Sequence, residues 1–389
     1  MTAADAARQT LEQRAVAALH ESFGRGSEPA VASAPGRCTL VGEHVDYAGG
    51  LVLCAAIDLH VTVAARATAA SATRVTMDGC RFEDGGLALR PEGAGYVFAA
   101  AEALRRARVD VPPFEAATVA SLPAGAGLSS SAAVVCATLV ALLRLAHARL
   151  SAIDLAGIAY DAEHNVLGVP CGRLDQYAVV DTPGHGALLL DSSTDRVTSV
   201  PWRLSDAVLV VCDTAERHRV AGPEYARRRA ETAAALERAG LENAQQAVSE
   251  MRSPRGTRAG ADDVLDRRLR HVAGESRRAA AAAEALARGD APALGRLMSE
   301  SHRSLRDDHE VSTPLLDAVV AGASAVPGCY GARMVGAGFG GSVLALATTT
   351  TAAGCVAAMR DASGRAGAAW VVHPHAGLAY TAGDAVIAG

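Results

Sequence analysis

Between Leu122 and Ala137 the chain reads LPAGAGLSSSAAVVCA. Gly125 and Gly127 permit positive φ and let the backbone approach a ligand closely. Ser129, Ser130 and Ser131 follow, and then an apolar run that predicts a helix from Ser129 to Leu150. The preceding FEAATVA reads as a strand, so the local fold is constrained to strand, glycine turn, helix. The first N–H groups of such a helix lack intrahelical partners, and with the helix dipole they favour an anion. The three hydroxyls add donors, and one can coordinate Mg²⁺ beside a phosphate. The same residues also suit an ordinary serine cap after a loop. There is no GxxxxGKS/T element, so this is not a Walker-type phosphate loop.

At 389 residues the chain is long for one compact core, and two domains are expected. The change is placed near residue 200, in TSVPWRLSDA, giving units 1–200 and 201–389. Before it the pattern is mostly strands, with helices in YVFAAAEALRRARV and DLAGIAYDAEHNVLGV. The stretch from Ala30 to Thr68 reads as strand, loop, strand, strand. After Tyr225 helices dominate: one over 224–251, one over 266–289 and one over 291–307, with RGTRAGADD as a loop between the first two. A strand-rich piece follows, centred on GARMVGAGFGGSVLALAT.

Hydrophobic residues make up 50% and charged residues 20%, the balance of a globular rather than a disordered chain. A net charge of −5 argues against a nucleic-acid partner. No apolar run reaches the length of a membrane span. The first 24 residues carry acids and read as an amphipathic helix, not an export signal, so a cytoplasmic location is expected. None of the eight cysteines forms a CxxC pair; free thiols are expected, not a zinc site. Nothing distinguishes a monomer from a homo-oligomer.

Three more stretches carry chemistry. APGRCTLVGEHVDYAGG gathers Arg37, Glu43, His44, Asp46 and Tyr47 in a glycine-bounded turn between apolar strands. Such a cluster is costly to bury unless paired or used. It suits hydrogen bonding to several hydroxyls of a sugar, a solvated hairpin with a salt bridge, or, at poor spacing, a metal held by Glu43, His44 and Asp46. In AEHNVLGVPCGRLDQYAVV, Glu163 ends a helix and Asp175 follows Gly172; either carboxylate fits a base or a cap. GARMVGAGFGGSVLAL packs glycines before an alternating strand, a loop fit for close approach to substrate or phosphate.

Taken in order, PGRCTLVGEHVDY, LPAGAGLSSSAA, GVPCGRLDQ and GARMVGAGFGG resemble the galactokinase branch of the GHMP small-molecule kinases. RHRVAGPEYARRR, LRHVAGESRR and GRLMSESHRSLRDDHEVSTPLLD agree, so the resemblance runs from about Ala34 to Leu346. It implies an α/β (α+β), two-domain fold: a β-rich N-terminal domain of ribosomal-S5-like topology and a helix-rich, ferredoxin-like C-terminal domain, with the active site in the cleft between them. It implies ATP and Mg²⁺ as cofactors, a small-molecule partner, and transfer of the γ-phosphate to the anomeric hydroxyl of D-galactose. By that likeness Gly125, Ala126, Gly127, Leu128, Ser129, Ser130 and Ser131 cradle the triphosphate, and Ser131 and Glu163 are the Mg²⁺ ligands. Asp175 is the catalytic carboxylate and Arg37 its cationic partner. Glu43, His44, Asp46, Gly172 and Tyr225 hold the sugar. Phosphoryl transfer asks chiefly for alignment and charge neutralisation, which this set supplies.

The departures define the competing readings. Galactokinases usually read GRxNLIGEHTDYN, CGIMDQ and TGGGFGG; here Thr39, Val45, Ala48, Arg173, Leu174, Val335 and Ala337 differ. A Glu common after the triple serine and a Trp common before YV are absent. Lost polar partners around a pocket would change substrate choice; Arg173 is expected to point outward to solvent, with recognition of a phosphate already on the acceptor as the alternative. The second reading is therefore a GHMP kinase for another sugar, an amino sugar or a cyclitol. The third, a non-catalytic sensor of sugar and ATP, is disfavoured because Arg37, Ser131, Glu163 and Asp175 are all present.

Overall fold

The computed structural model describes residues 3–83, 90, 92–184, 186–217, 223–251, 263–364 and 367–378. The first half runs α1 (Ala3–Phe23), β1 (Ala30–Val41), a 3₁₀ turn at Asp46–Ala48, then β2 (Leu51–Ala67). A small hairpin of β3 (Arg74–Met77) and β4 (Cys80–Glu83) precedes α2 (Gly95–Arg106) and β5 (Phe114–Ala120). Next come α3 (Ser130–Leu145) and α4 (Ala152–Asp161), which continues into a π turn, Ala162–Val166. α5 (Leu174–Asp181), β6 (Gly186–Asp191) and β7 (Arg196–Pro201) complete the first sheet. The second half holds β8 (Val208–Asp213), α6 (Pro223–Ala239), α7 (Ala244–Met251), α8 (Val264–Arg288) and α9 (Ala291–Asp307). It closes with α10 (Pro314–Ser324), β9 (Cys329–Val335), β10 (Ser342–Ala347), α11 (Ala352–Ser363) and β11 (Ala368–Val372).

β2 organises the first sheet, whose order is β4-β3-β5-β2-β6-β7 with β1 also paired to β2. Its N-terminal end pairs with β6 and its C-terminal end with β5. Both faces are covered, so the strand is nearly all apolar. Leu53, Ala55, Ile57, Val61, Val63 and Ala65 enter the main core with α2 and α3. The alternate residues Val52 and Cys54 meet Leu236, Ala247 and Val272 of α6–α8, and Ala64 meets Ala15 and Leu19 of α1. α3 is buried on almost every side; its Ala132, Ala133, Ala137 and Ala141 keep it close to the sheet.

The second sheet is wholly antiparallel in the order β11-β8-β10-β9, the split β-α-β arrangement of a ferredoxin-like fold. Val210, Cys212, Val343 and Ala345 pack under α10 and α11. Leu209, Val211, Leu344 and Leu346 face the other way and join the main core with Leu286, Leu294 and Met298 of α8 and α9. The two sheets thus share a continuous apolar core.

Local departures from expectation have simple causes. The Ala30–Thr68 stretch holds two strands, not three, because β2 is continuous; a register shift at Asp58 and Leu59, between the Gly36–Ile57 and Pro35–His60 pairs, interrupts the pairing without ending the strand. α3 stops at Leu145, not Leu150, as His147 takes a left-handed φ of 53°. The helix expected over 224–251 is two, broken at Gly240 (φ 69°) and restarted where Asn243 Oδ1 accepts from Gln246 N at 3.0 Å. RGTRAGADD, except Asp263, and the 218–222 part of RHRVAGPEYARRR lie outside the described residues. All eight cysteines are free, as expected. Among the described residues no helix is long and apolar enough to cross a membrane.

A buried charge network joins the halves. Glu275 of α8 is fully buried, accepts from Gly42 N (2.8 Å), Ser301 Oγ (2.5 Å) and Arg278 Nε (2.8 Å), and is held down at about 2 against the cost of burial by Arg278 and Arg333. Removing it strands three donors, two of them in fully buried bonds. Glu275→Ala is expected to cost roughly 3–5 kcal/mol, read as a lower denaturant midpoint at pH 7; an unchanged midpoint would show the network to be energetically idle.

Candidate active site

The four motifs converge on a cavity of about 1240 Å³. Its walls include Arg37, Glu43, His44, Asp46, Gly125, Gly127, Ser129, Ser130, Ser131, Gly172, Asp175, Tyr225, Gly336 and Ala337. Ala126 and Leu128 are buried behind the loop, and Glu163 lies behind Ser131, with which it shares a hydrogen bond.

Arg37 stands at the junction. It leaves β1 almost fully buried, donates through Nε and Nη2 to Asp175 Oδ1 at 2.9 and 2.6 Å, and through Nη1 to Gly127 O at 2.7 Å. Its own N–H donates to Leu128 O at 3.1 Å. Burial opposes its charge, but Asp175 and then Glu43 raise its pKa above the usual arginine value. Asp175 sits in the first turn of α5 with its side chain 29% exposed, so it is both anchored and open to the cavity.

The glycine loops meet from opposite halves. Gly127 (φ 76°) and Gly336 (φ 88°) are so close that a Cβ on either would press on the other loop's backbone. Ser129 caps α3 in a left-handed conformation, and its Oγ is buried with no hydrogen-bond partner in the protein. A buried hydroxyl and the first N–H groups of a helix, facing a cavity, are donors of the kind that suit an anion.

Behind these donors the π turn presents Glu163 inward, the kind of irregularity that places functional side chains. Gln176 Nε2 donates to Glu163 Oε1 at 2.7 Å, while Ser131 hydrogen-bonds both Glu163 and Tyr96. Burial, then Asp175, push the Glu163 carboxyl up to about 7. A buried carboxylate beside a hydroxyl and donors of that kind suits Mg²⁺, which takes few protein ligands and keeps phosphate and water oxygens. Among the described residues no group of three or more His, Cys, Asp or Glu is arranged to hold a metal, and the Glu43, His44, Asp46 metal alternative has no support.

At the other end, Glu43 is buried; its Oε1 accepts from Gly336 N at 2.7 Å and lies 3.8 Å from Arg333 Nη2. Burial raises its pKa, opposed by Arg333 and Arg37. The Asp46 carboxylate lies over Gly172, where any Cβ would collide with Oδ2. Tyr225 reaches in from α6, its ring 5.6 Å from that of His44.

His44 is fixed by its partners. Nε2 faces Ala337 O at 3.0 Å, so it carries the proton and donates. Nδ1 then accepts from the Tyr47 hydroxyl at 3.0 Å, and Tyr47 in turn accepts from His309 Nε2 at 3.3 Å. His309 sits between His44, tilted against it at 4.5 Å, and His271, stacked on it at 4.4 Å.

Arg333, Glu275, His271, His309, Gln176 and Tyr96 were not singled out by sequence reasoning. Arg333 had a signal, as a charge inside the apolar strand of the last glycine motif, and His271 and Glu275 share one face of α8 four residues apart. The departures from the family pattern fall mostly outside the cavity. Thr39, Val45 and Ala48 are buried away from it, Val45 and Ala48 packing against Leu174 and Leu236. Arg173 points to solvent, paired with Asp195 at 3.0 Å and lying over the Tyr160 ring. Ala337 and Leu174 do line the cavity.

Comparison with known proteins agrees with the geometry. Residues 17–67 match the galactokinase galactose-binding signature, 95–182 the GHMP kinases N terminal domain and 282–364 the GHMP kinases C terminal domain. The chain is 39% identical to the galactokinase of Homo sapiens over 86% of its own length and 88% of that protein. It is 40% identical to the galactokinase of Chloroflexus aurantiacus over 89% and 90%. The crystal structure of Lactococcus lactis galactokinase complexed with galactose superposes with a TM-score of 0.85 at 27% identity, covering 96% of this chain and all of that one.

The histidine row makes a pH prediction. Burial lowers His44 to about 3 and His271 to about 4 from 6.5, and His309 well below it. Between pH 6.5 and about 4 the unfolded chain binds protons that the folded protein refuses, so stability falls as pH drops through that window. Each histidine adds up to about 1.4 kcal/mol per pH unit. His309→Phe is expected to make that acid slope shallower in denaturant titrations; an identical slope would mean His309 protonates freely in the fold.

Proposed function

The chain belongs to the galactokinase family, within the GHMP kinases, and from that premise we propose that it transfers the γ-phosphate of ATP to the anomeric hydroxyl of D-galactose. The observation that carries this reading is the Arg37–Asp175 pair, anchored on the Gly127 carbonyl and open to the cavity between phosphate cradle and sugar-binding turn. The division near residue 200, between β7 and β8, belongs to the same reading, as does a cytoplasmic location where the thiols stay reduced.

The residues divide the work. The Gly125–Ser131 loop and the start of α3 hold the phosphates, with the orphaned Ser129 hydroxyl available to a phosphate oxygen. Ser131 and Glu163 would hold Mg²⁺, which when bound neutralises the phosphates and draws charge from the leaving oxygen. Asp175 takes both arginine bonds on Oδ1, leaving Oδ2 to accept the hydrogen bond of the acceptor hydroxyl and orient it in line with the γ-phosphate. Arg37 steadies Asp175 and offers positive charge beside the transferring group. Glu43, His44, Asp46, Gly172 and Tyr225 surround the remaining hydroxyls. Glu43 and His44 are already bonded to the third-motif backbone, so their orientation is set before the sugar arrives.

Galactose is favoured over a re-purposed acceptor because Thr39, Val45, Ala48 and Arg173 do not face the cavity. The test is ADP release with Mg²⁺–ATP and galactose beside glucose, galactosamine, arabinose, inositols and their phosphates. Galactose turnover far above the rest is expected; a phosphorylated cyclitol turned over faster would overturn the acceptor assignment, and no turnover with any acceptor would restore the sensor reading. Asp175→Ala is expected to lower kcat about 10²–10⁴-fold while nucleotide binding is kept; near-normal turnover would refute its role.

A further inference from the structure

Arg229 of α6 touches two separate parts of the acceptor end of the cavity. Its Nη1 donates to Pro170 O at 2.7 Å, two residues before Gly172. Its guanidinium lies over the Tyr47 ring, 5.0 Å from the centroid. Tyr225 lies one helical turn earlier on the same face of α6, its ring 6.0 Å from Tyr47. The neighbouring Arg228 points elsewhere, donating to His309 O at 2.7 Å and Glu310 O at 3.0 Å. Two successive arginines thus bind α6 to different walls, and Arg229 faces the wall that carries Asp46 and Gly172.

We propose that Arg229 is a positioning residue for the acceptor: it ties α6 to the Val169–Gly172 loop and to Tyr47, and so sets where Asp46 and Tyr225 stand around the sugar. This rests on the sugar-kinase reading above. A lysine could reach one partner but not fork between a carbonyl and a ring face. The charge matters as well as the reach. Asp46 is burdened by burial and then by Asp175, and Arg229 and Arg37 are the cations that offset this. Glu43, Cys171, Tyr47 and Tyr225 complete the titratable groups around it.

The test compares the full-length protein with Arg229→Gln and Arg229→Lys. In steady-state kinetics Arg229→Gln is expected to raise the galactose KM about tenfold with the ATP KM unchanged, and Arg229→Lys to fall between it and the wild type. The Asp46 carboxyl, followed by ¹³C NMR without substrate, is expected to titrate at higher pH in Arg229→Gln, because a favourable cation is gone. That readout does not depend on which acceptor is used: failure of the wild type to turn over galactose would count against the acceptor reading, whereas an unmoved Asp46 titration would overturn the role of Arg229. An unchanged galactose KM in folded Arg229→Gln, or equal losses for galactose and ATP, would also overturn it. If Arg229→Gln does not fold, Arg229→Lys decides by the same galactose-to-ATP comparison.

Discussion

The contact between Arg37 and Asp175 is the constraint on which the rest of the site depends. Arg37 comes from the second half of β1, Asp175 from the first turn of α5, and the Gly127 carbonyl from the turn before α3. A guanidinium buried there without a carboxylate would be costly, and both of its bonds to Asp175 fall on the same oxygen, Oδ1. One side chain therefore fixes the distance between the glycine turn before α3 and the Asp175 carboxylate. A shift of an ångström in any of the three elements would break the alignment that phosphoryl transfer needs.

The fourth motif is attached by a second buried charge system. Arg333, fully enclosed in β9, donates to Thr39 O at 2.7 Å and faces Glu43, whose other contact is the Gly336 N–H. Glu275 then closes the network onto Gly42. These groups contribute less as net stability than as registration, since hydrophobic replacements of equal shape could hold the halves together but not aim Glu43 at the cavity. The contact of Gly127 with Gly336 completes the closure, and a Cβ at either position would press on the facing backbone.

Much of this was legible in the chain. The glycine turn and triple serine gave a helix N-terminus at the cavity, and the clustered Glu43, His44 and Asp46 did prove buried or half-buried beside it. The departures from the family pattern were not placeable from the sequence, and most of them do not face the cavity. Val45 lies beside His44 in sequence, yet strand and turn geometry send the two side chains opposite ways, one into the core with Leu174 and the other to the cavity. Arg173 stands two residues before Asp175, but as the residue preceding α5 it points outward to Asp195.

The sequence by itself determined the elements, the family and which residues could do chemistry, because periodicity, glycines and clustered polar residues are local properties of the chain. Only the tertiary structure decided which of them work together. Arg37 and Asp175 are 138 residues apart, and Glu43 and Gly336 are 293 apart. His309 and Arg229 come to support the turn holding His44 and Tyr47 only when α6 and the segment after α9 fold against it. Local pattern carries no information about such partners, since what selects them is the free energy of burying charge, and that exists only once both sides of the cleft are in place.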